Sequence, residues 1–143
     1  MMLIIDSNMV FAALLRDSIT RRILVNPLLR FYAPDAMLTE IHKHKNMLVS
    51  KSGLSGSDFE LLLQLITEKI EVIGKESYKT YLKDAKKLLG NAHLGDVPFL
   101  ALAMAVENDG IWSEDKDFEK QNLVKIWKTA DIAKYLKLIH EWD

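Results

Sequence analysis

The chain has 143 residues, 49% hydrophobic and 27% charged, a length and balance that predict one soluble globular domain over residues 1–143 with a full buried core. It contains no cysteine, which excludes disulfides, thiolate metal sites and a cysteine nucleophile and is compatible with a reducing cytoplasm, the expected location. The net charge of −1 does not advertise a polyanion partner.

Leu3-Ile4-Ile5 is an apolar run that stops on Asp6, the pattern of a strand buried on both faces of a parallel sheet. In open α/β sheets ligands gather outside the carboxyl ends of the strands, so Asp6 is a site candidate; the alternative is a cap for a helix over 7–15. A second helical piece is expected over 18–25, capped by Asp17 or Ser18 and limited by Pro27, and then a strand over 28–33 closed by Pro34-Asp35. One helix is predicted from 35 to 49, with Met37, Leu38 and Ile41 on its apolar face and Glu40 beside that face. The Ser/Gly run over 50–57 reads as a flexible loop. Ser57 or Asp58 is the expected cap of a helix to about 69, followed by a short strand over 71–73 and a helix over 77–89 that Gly90 stops.

Asp96 followed by Pro98 signals a helix start, and the run behind it is apolar all round, as for a helix buried mid-protein. A fourth strand over 111–113 leads into Ser113-Glu114-Asp115-Lys116-Asp117-Phe118, a fifth lies over 124–127, and a last helix over 129–140 is capped by Thr129. Strands alternate with helices throughout, which predicts a parallel sheet covered on both faces. Trp112, Trp127, Tyr78 and Tyr81 read as core, His93 and His140 as surface, and Leu14, Leu15, Ile19 and Ile23 as either core or an apolar dimer seam. There is no internal repeat, no apolar run near the roughly 18 to 20 residues of a membrane span, and no export-signal pattern at the N-terminus.

Asp6 follows the first strand, Asp115 and Asp117 follow the fourth, Asp96 opens the buried helix and Glu40 lies one turn into another. Brought to one sheet edge, these acids would repel one another, raise their pKa values and call for a cation. Hard oxygen donors without cysteine favour Mg²⁺ or Mn²⁺ over Zn²⁺, and the chemistry of one or two such ions is phosphoryl transfer to water. Consistent with this, no G-x-x-x-x-G-K, G-x-S-x-G or H-E-x-x-H pattern is present. Asn8 and Ser113 read as groups orienting a carboxylate or a water. His42-Lys43-His44-Lys45 and Lys51 could guide phosphates towards the ions; the alternative is a solvated helix face. Residues 1–57 hold seven Lys and Arg against four Asp and Glu, a balance of +3, and residues 58–143 hold twelve against sixteen, a balance of −4. A basic front with an acidic rear suits a metal site that receives a phosphate chain, and equally describes ordinary surface.

On these residues the chain resembles a PIN domain of the prokaryotic kind. The D-x-N strand end is matched by Asp6-Ser7-Asn8, the helix glutamate falls on Glu40 within Leu38-Thr39-Glu40-Ile41, the D-x-x-x-x-A-x-A helix start matches Asp96, Ala101 and Ala103, and the T-x-D-x-D-F turn matches Ser113, Asp115, Asp117 and Phe118. Order and spacing agree from Met1 to about Trp127. The resemblance implies a three-layer α/β/α sandwich around a five-stranded parallel sheet. It implies a Mg²⁺- or Mn²⁺-dependent endoribonuclease cutting single-stranded RNA, with Asp6, Glu40, Asp96 and Asp115 as catalytic acids that hold the metal together with Asp117. It further implies frequent homodimerisation and, in many members, a toxin paired with a small antitoxin protein. Ser113 stands for the more usual Thr and keeps the hydroxyl; Gly95 stands where related sequences often carry a second acid. The competing reading is a catalytically silent scaffold that binds RNA or a protein partner. A dehalogenase-like or receiver-type phosphoryl protein also places an Asp after its first strand, but Asn8 stands where such a protein needs its second acid, and no catalytic Lys is evident.

Overall fold

The computed structural model describes residues 1–15, 18–90 and 94–137. Five strands, β1 Met2–Ile5, β2 Arg30–Pro34, β3 Ile70–Ile73, β4 Ile111–Trp112 and β5 Ile126–Trp127, form one all-parallel sheet in the order β3-β2-β1-β4-β5. Central β1 pairs Leu3 with Phe31 on one side and Ile4 with Ile111 on the other. Leu3, Ile4 and Ile5 are accordingly without solvent contact, each contributing about 1.5–3 kcal/mol of transfer free energy. Strand order reverses between β1 and β4, which makes the carboxyl ends of these two strands the topological switch point.

The helices are α1 Ser7–Leu15, α2 Ser18–Leu24, α3 Ala36–Lys43, α4 Lys45–Ser52, α5 Gly56–Thr67, α6 Leu82–Leu89, α7 Val97–Ala105 and α8 Thr129–Tyr135. The expected α/β/α architecture is present, with the sheet as the middle layer. The all-apolar α7 packs on β1, β2 and β4, and α1 packs against α3, α4 and α5. No helix among the described residues is long and apolar enough to cross a membrane.

Several boundaries differ from expectation for identifiable reasons. The single helix expected over 35–49 is two, because His44 (φ −102°, ψ 9°) turns the axis while its N–H still reaches the Glu40 carbonyl at 3.1 Å. Helix then continues to Ser52 and stops on Gly53, whose φ of 73° suits glycine, so the expected loop shrinks to residues 53–55. The cap of α5 is Ser55, whose Oγ accepts from the Asp58 N–H at 3.1 Å, in place of Ser57 or Asp58. Two 3-10 turns, Lys75–Ser77 and Lys79–Tyr81, occupy the first part of the helix expected over 77–89. They are held by Asp35, whose carboxylate accepts from the Tyr78 hydroxyl and from the Lys75 N–H at 3.2 Å and does not cap α3. β5 is short because the Gln121 side chain engages Val124 at both its N–H and its carbonyl, leaving no ladder there. Lys128, rather than Thr129, sits at the cap of α8; the Thr129 hydroxyl accepts from the Trp112 indole at 3.0 Å. Asp17, His93 and His140 lie outside the described residues.

The core reading holds for Trp112 and Tyr78, whereas Tyr81 is exposed and Trp127 half-buried. Leu14 and Ile23 are fully buried and belong to the core, not to a seam; Leu15 and Ile19 are partly covered.

At Gly110, ahead of β4, φ is 135° and a Cβ would stand 2.4 Å from the Lys125 carbonyl oxygen. Gly110→Ala should therefore lower stability by roughly 2–4 kcal/mol, combining backbone strain with displacement of β5. Gly74 has φ −69° and open space around it, so Gly74→Ala should be neutral or stabilise by up to about 1 kcal/mol. Denaturant midpoints of the two variants measure both effects; equal midpoints would contradict the close approach at Gly110.

Candidate metal centre

Asp6 leaves β1 as though still in the ladder, its N–H reaching the Trp112 carbonyl at 3.1 Å, and its carboxylate is almost enclosed at 3% exposure. Ser113, directly after β4, donates from Oγ to Asp6 Oδ2 at 2.7 Å and accepts on the same oxygen from the Asp115 N–H at 3.0 Å. Asp115 Oδ1 in turn accepts from the Asp117 N–H at 2.9 Å, opening the 3-10 turn Lys116–Lys120. One hydrogen-bonded chain thus runs from the end of β1 through the end of β4 to two further acids.

Asp96 arrives from the opposite direction, at the cap position of α7. It does not cap: its backbone is helical (φ −79°, ψ −23°), no side-chain cap bond is made, and Pro98 removes one of the N–H groups a cap would bind. The side chain is left for another task. Asp96 is 7% exposed, its Oδ2 is buried with no hydrogen-bond partner, and one oxygen each of Asp96, Asp115 and Asp117 lies within 4.8 Å of the other two.

Asp6, Asp96, Asp115 and Glu40 all line one cleft of about 350 Å³ at the carboxyl ends of the strands. Glu40 stands on the α3 side, its Oε2 3.5 Å from His44 Nε2 and outside the three-acid group. Asp117 joins that group without lining the cleft, its Oδ1 3.3 Å from Lys120 Nζ. Asn8 lines the cleft; Ser113 holds Asp6 from behind. Of the lysines expected to guide phosphates, Lys45 is engaged by Glu60, and neither Lys43 nor Lys51 lines the cleft. Of the run His42-Lys43-His44-Lys45, His44 lines the cleft; Ser7, Phe11 and Phe99 line it without having been expected there. The readable signal for His44 was its position four residues after Glu40, on the same helical side.

Burial raises the Asp96 pKa to about 7, helped by the charges of Asp115, Asp6 and Asp117 and by a hydrogen bond with Asp115. Burial likewise raises Asp6, against the hydrogen bonds from Ser113 and from the backbone of Asn8 and Ser7. Such a set is under-compensated: Ser7 Oγ and Asp96 Oδ2, two buried side-chain oxygens without a hydrogen-bond partner, both belong to residues of this cleft. A hard divalent cation fits these donors, since clustered carboxylate oxygens and no sulfur or imidazole in the group suit Mg²⁺ or Mn²⁺.

The family profile described as "PIN domain" matches residues 4–137. No curated protein matches the chain.

Without a cation, the folded chain retains protons on Asp96 between about pH 4 and 7, where the unfolded chain has released them. Stability should therefore fall as pH rises through that window, with the loss complete above about 7. Melting in EDTA from pH 5 to 8 should show this decline. Asp96→Asn should flatten it and melt above the parent at pH 8, at about 2–4 °C per kcal/mol of repulsion relieved. Added Mn²⁺ should raise the parent's melting temperature more at pH 8 than at pH 5. A parent that melts no lower at pH 8 than at pH 5 in EDTA would contradict the described electrostatics.

Proposed function

The chain belongs to the PIN domain family, whose members are generally nucleases, and on that premise we propose that it is a Mg²⁺- or Mn²⁺-dependent endoribonuclease hydrolysing phosphodiester bonds of single-stranded RNA. The observation that carries the reading is Asp96, a buried carboxylate at a helix start that caps nothing, keeps one oxygen unpaired and faces Asp115 and Asp117.

Asp96, Asp115 and Asp6 would hold the cation, with Asp117 beside them and Glu40 facing them across the cleft. A divalent ion there supplies a lowered pKa for water and positive charge for the phosphate oxygens. The remaining work falls to the chain. Ser113 fixes the Asp6 carboxylate and the Asp115 backbone with one hydroxyl, so two of the acids are oriented before substrate arrives. Glu40 is half-exposed and apart from the crowded acids, the place for a group that accepts a proton as water adds to phosphorus and the bond to the departing ribose oxygen breaks. A cleft of about 350 Å³ has room for one nucleotide of such a strand.

With labelled single-stranded RNA and Mn²⁺, EDTA should abolish cleavage. Ser113→Ala should slow it by about 10- to 100-fold, the usual cost of losing an orienting partner. Asp6→Asn and Asp96→Asn should each slow it further than that. Cleavage persisting at the parent rate in both Asp variants would assign the activity to another site or protein.

A further inference from the structure

We propose that the pair formed by Phe11 and His44 is a stacking site for the nucleobase next to the bond being cut, so that an unpaired base is itself part of what the cleft recognises; this rests on the nuclease reading above. The first support is position. In α1 Met9, Val10, Ala13 and Leu14 are buried in the core, whereas Phe11 packs against that core, is only partly buried and also lines the cleft. The part of Phe11 that the core leaves uncovered lies in the wall of a cleft that four carboxylates also line, where it can take the face of a base.

The second support is ring geometry. Phe11 and His44 meet edge to face, centroids 5.7 Å apart and planes at 71°. In such a pair the ring that offers its edge keeps both of its own faces uncovered by the other, which is the requirement for a base to stack. His44 is also held by Glu40, Nε2 to Oε2 at 3.5 Å, while its side chain remains 38% exposed. The third support is what the cleft lacks: no Lys or Arg among the described residues lines it. A nucleic acid seated there receives no lysine or arginine contact to its phosphates from the walls, so affinity beyond the cation's share comes from another part of the nucleotide, and every base has a face to offer.

The test uses the full chain, a fluorescent single-stranded RNA and the same RNA with an abasic nucleotide beside the scissile linkage. Binding is followed by anisotropy and cleavage by steady-state kinetics in Mn²⁺. Phe11→Leu keeps apolar bulk and removes the ring; it should raise KM by about 5- to 150-fold, with a smaller change in kcat. Phe11→Tyr should restore KM. The abasic RNA should weaken the parent by a similar factor and leave Phe11→Leu nearly unaffected. His44→Leu should behave as Phe11→Leu does and His44→Phe as the parent does, with thermal melts confirming that all four variants fold. Parent-like KM in both Leu variants, or an abasic penalty equal in parent and variants, overturns the stacking site. RNA that binds with this ring dependence but is never cut overturns the nuclease reading and leaves the stacking site supported. RNA that does not bind overturns both.

Discussion

The buried 2.7 Å hydrogen bond from Ser113 Oγ to Asp6 Oδ2 joins the ends of β1 and β4, the two neighbouring strands between which the sheet reverses its order. Because the two residues leave adjacent strands in register, the bond is set by the sheet and not by a loop. The aspartates of the site are referred to it, while Glu40 stands apart on α3. Asp115 is tied to the same hydroxyl, Asp117 is tied to Asp115, and Asp96 is brought against them by α7, which packs on the strands that carry them. A constellation assembled on strand ends and one buried helix is positioned by the core, which is why side chains so distant in sequence can meet so closely.

The same arrangement opposes folding. Asp6 and Asp96 are driven by burial towards their protonated forms, and an oxygen of Asp96 and the hydroxyl of Ser7 are enclosed without partners. Each unpaired buried group costs about 1–3 kcal/mol. The central strand and α7, apolar at almost every position, sustain that cost. The strain lies where a ligand can relieve it, and the residues that carry it are the poorest candidates for a purely structural role.

Much of this was legible in the sequence because the informative residues sit at element ends. Asp6 follows three apolar residues, and Asp96 precedes Pro98 and an unbroken apolar run. In both cases capping competed with ligation, and the resolving signal was already present at Asp96: a proline two residues on withdraws a donor that a cap would use. Ser55-x-x-Asp58 was likewise a visible capping pattern, passed over for its neighbours in a Ser/Gly-rich run. Other features had no local signal. The break at His44 has neither glycine nor proline to announce it. The loss of strand at Val124 depends on the Gln121 side chain, and the place of Phe11 on the cleft wall depends on which flank of α1 faces the cleft, a matter of tertiary packing in a helix that is apolar nearly all round.

The distribution of basic residues sharpens what the cleft can do. The excess of positive charge in residues 1–57 suggested lysines leading a phosphate chain to the metal, yet none lines the cleft and Lys45 is spent on Glu60. Attraction between a weakly acidic protein and a polyanion would then be slight at a distance and decided at the site, where a cation held by the acids would reverse the local sign of the field. Recognition built this way is short-ranged. On the proposed reading it would favour a flexible strand that places one phosphate among the carboxylates and turns one base onto the Phe11 and His44 rings.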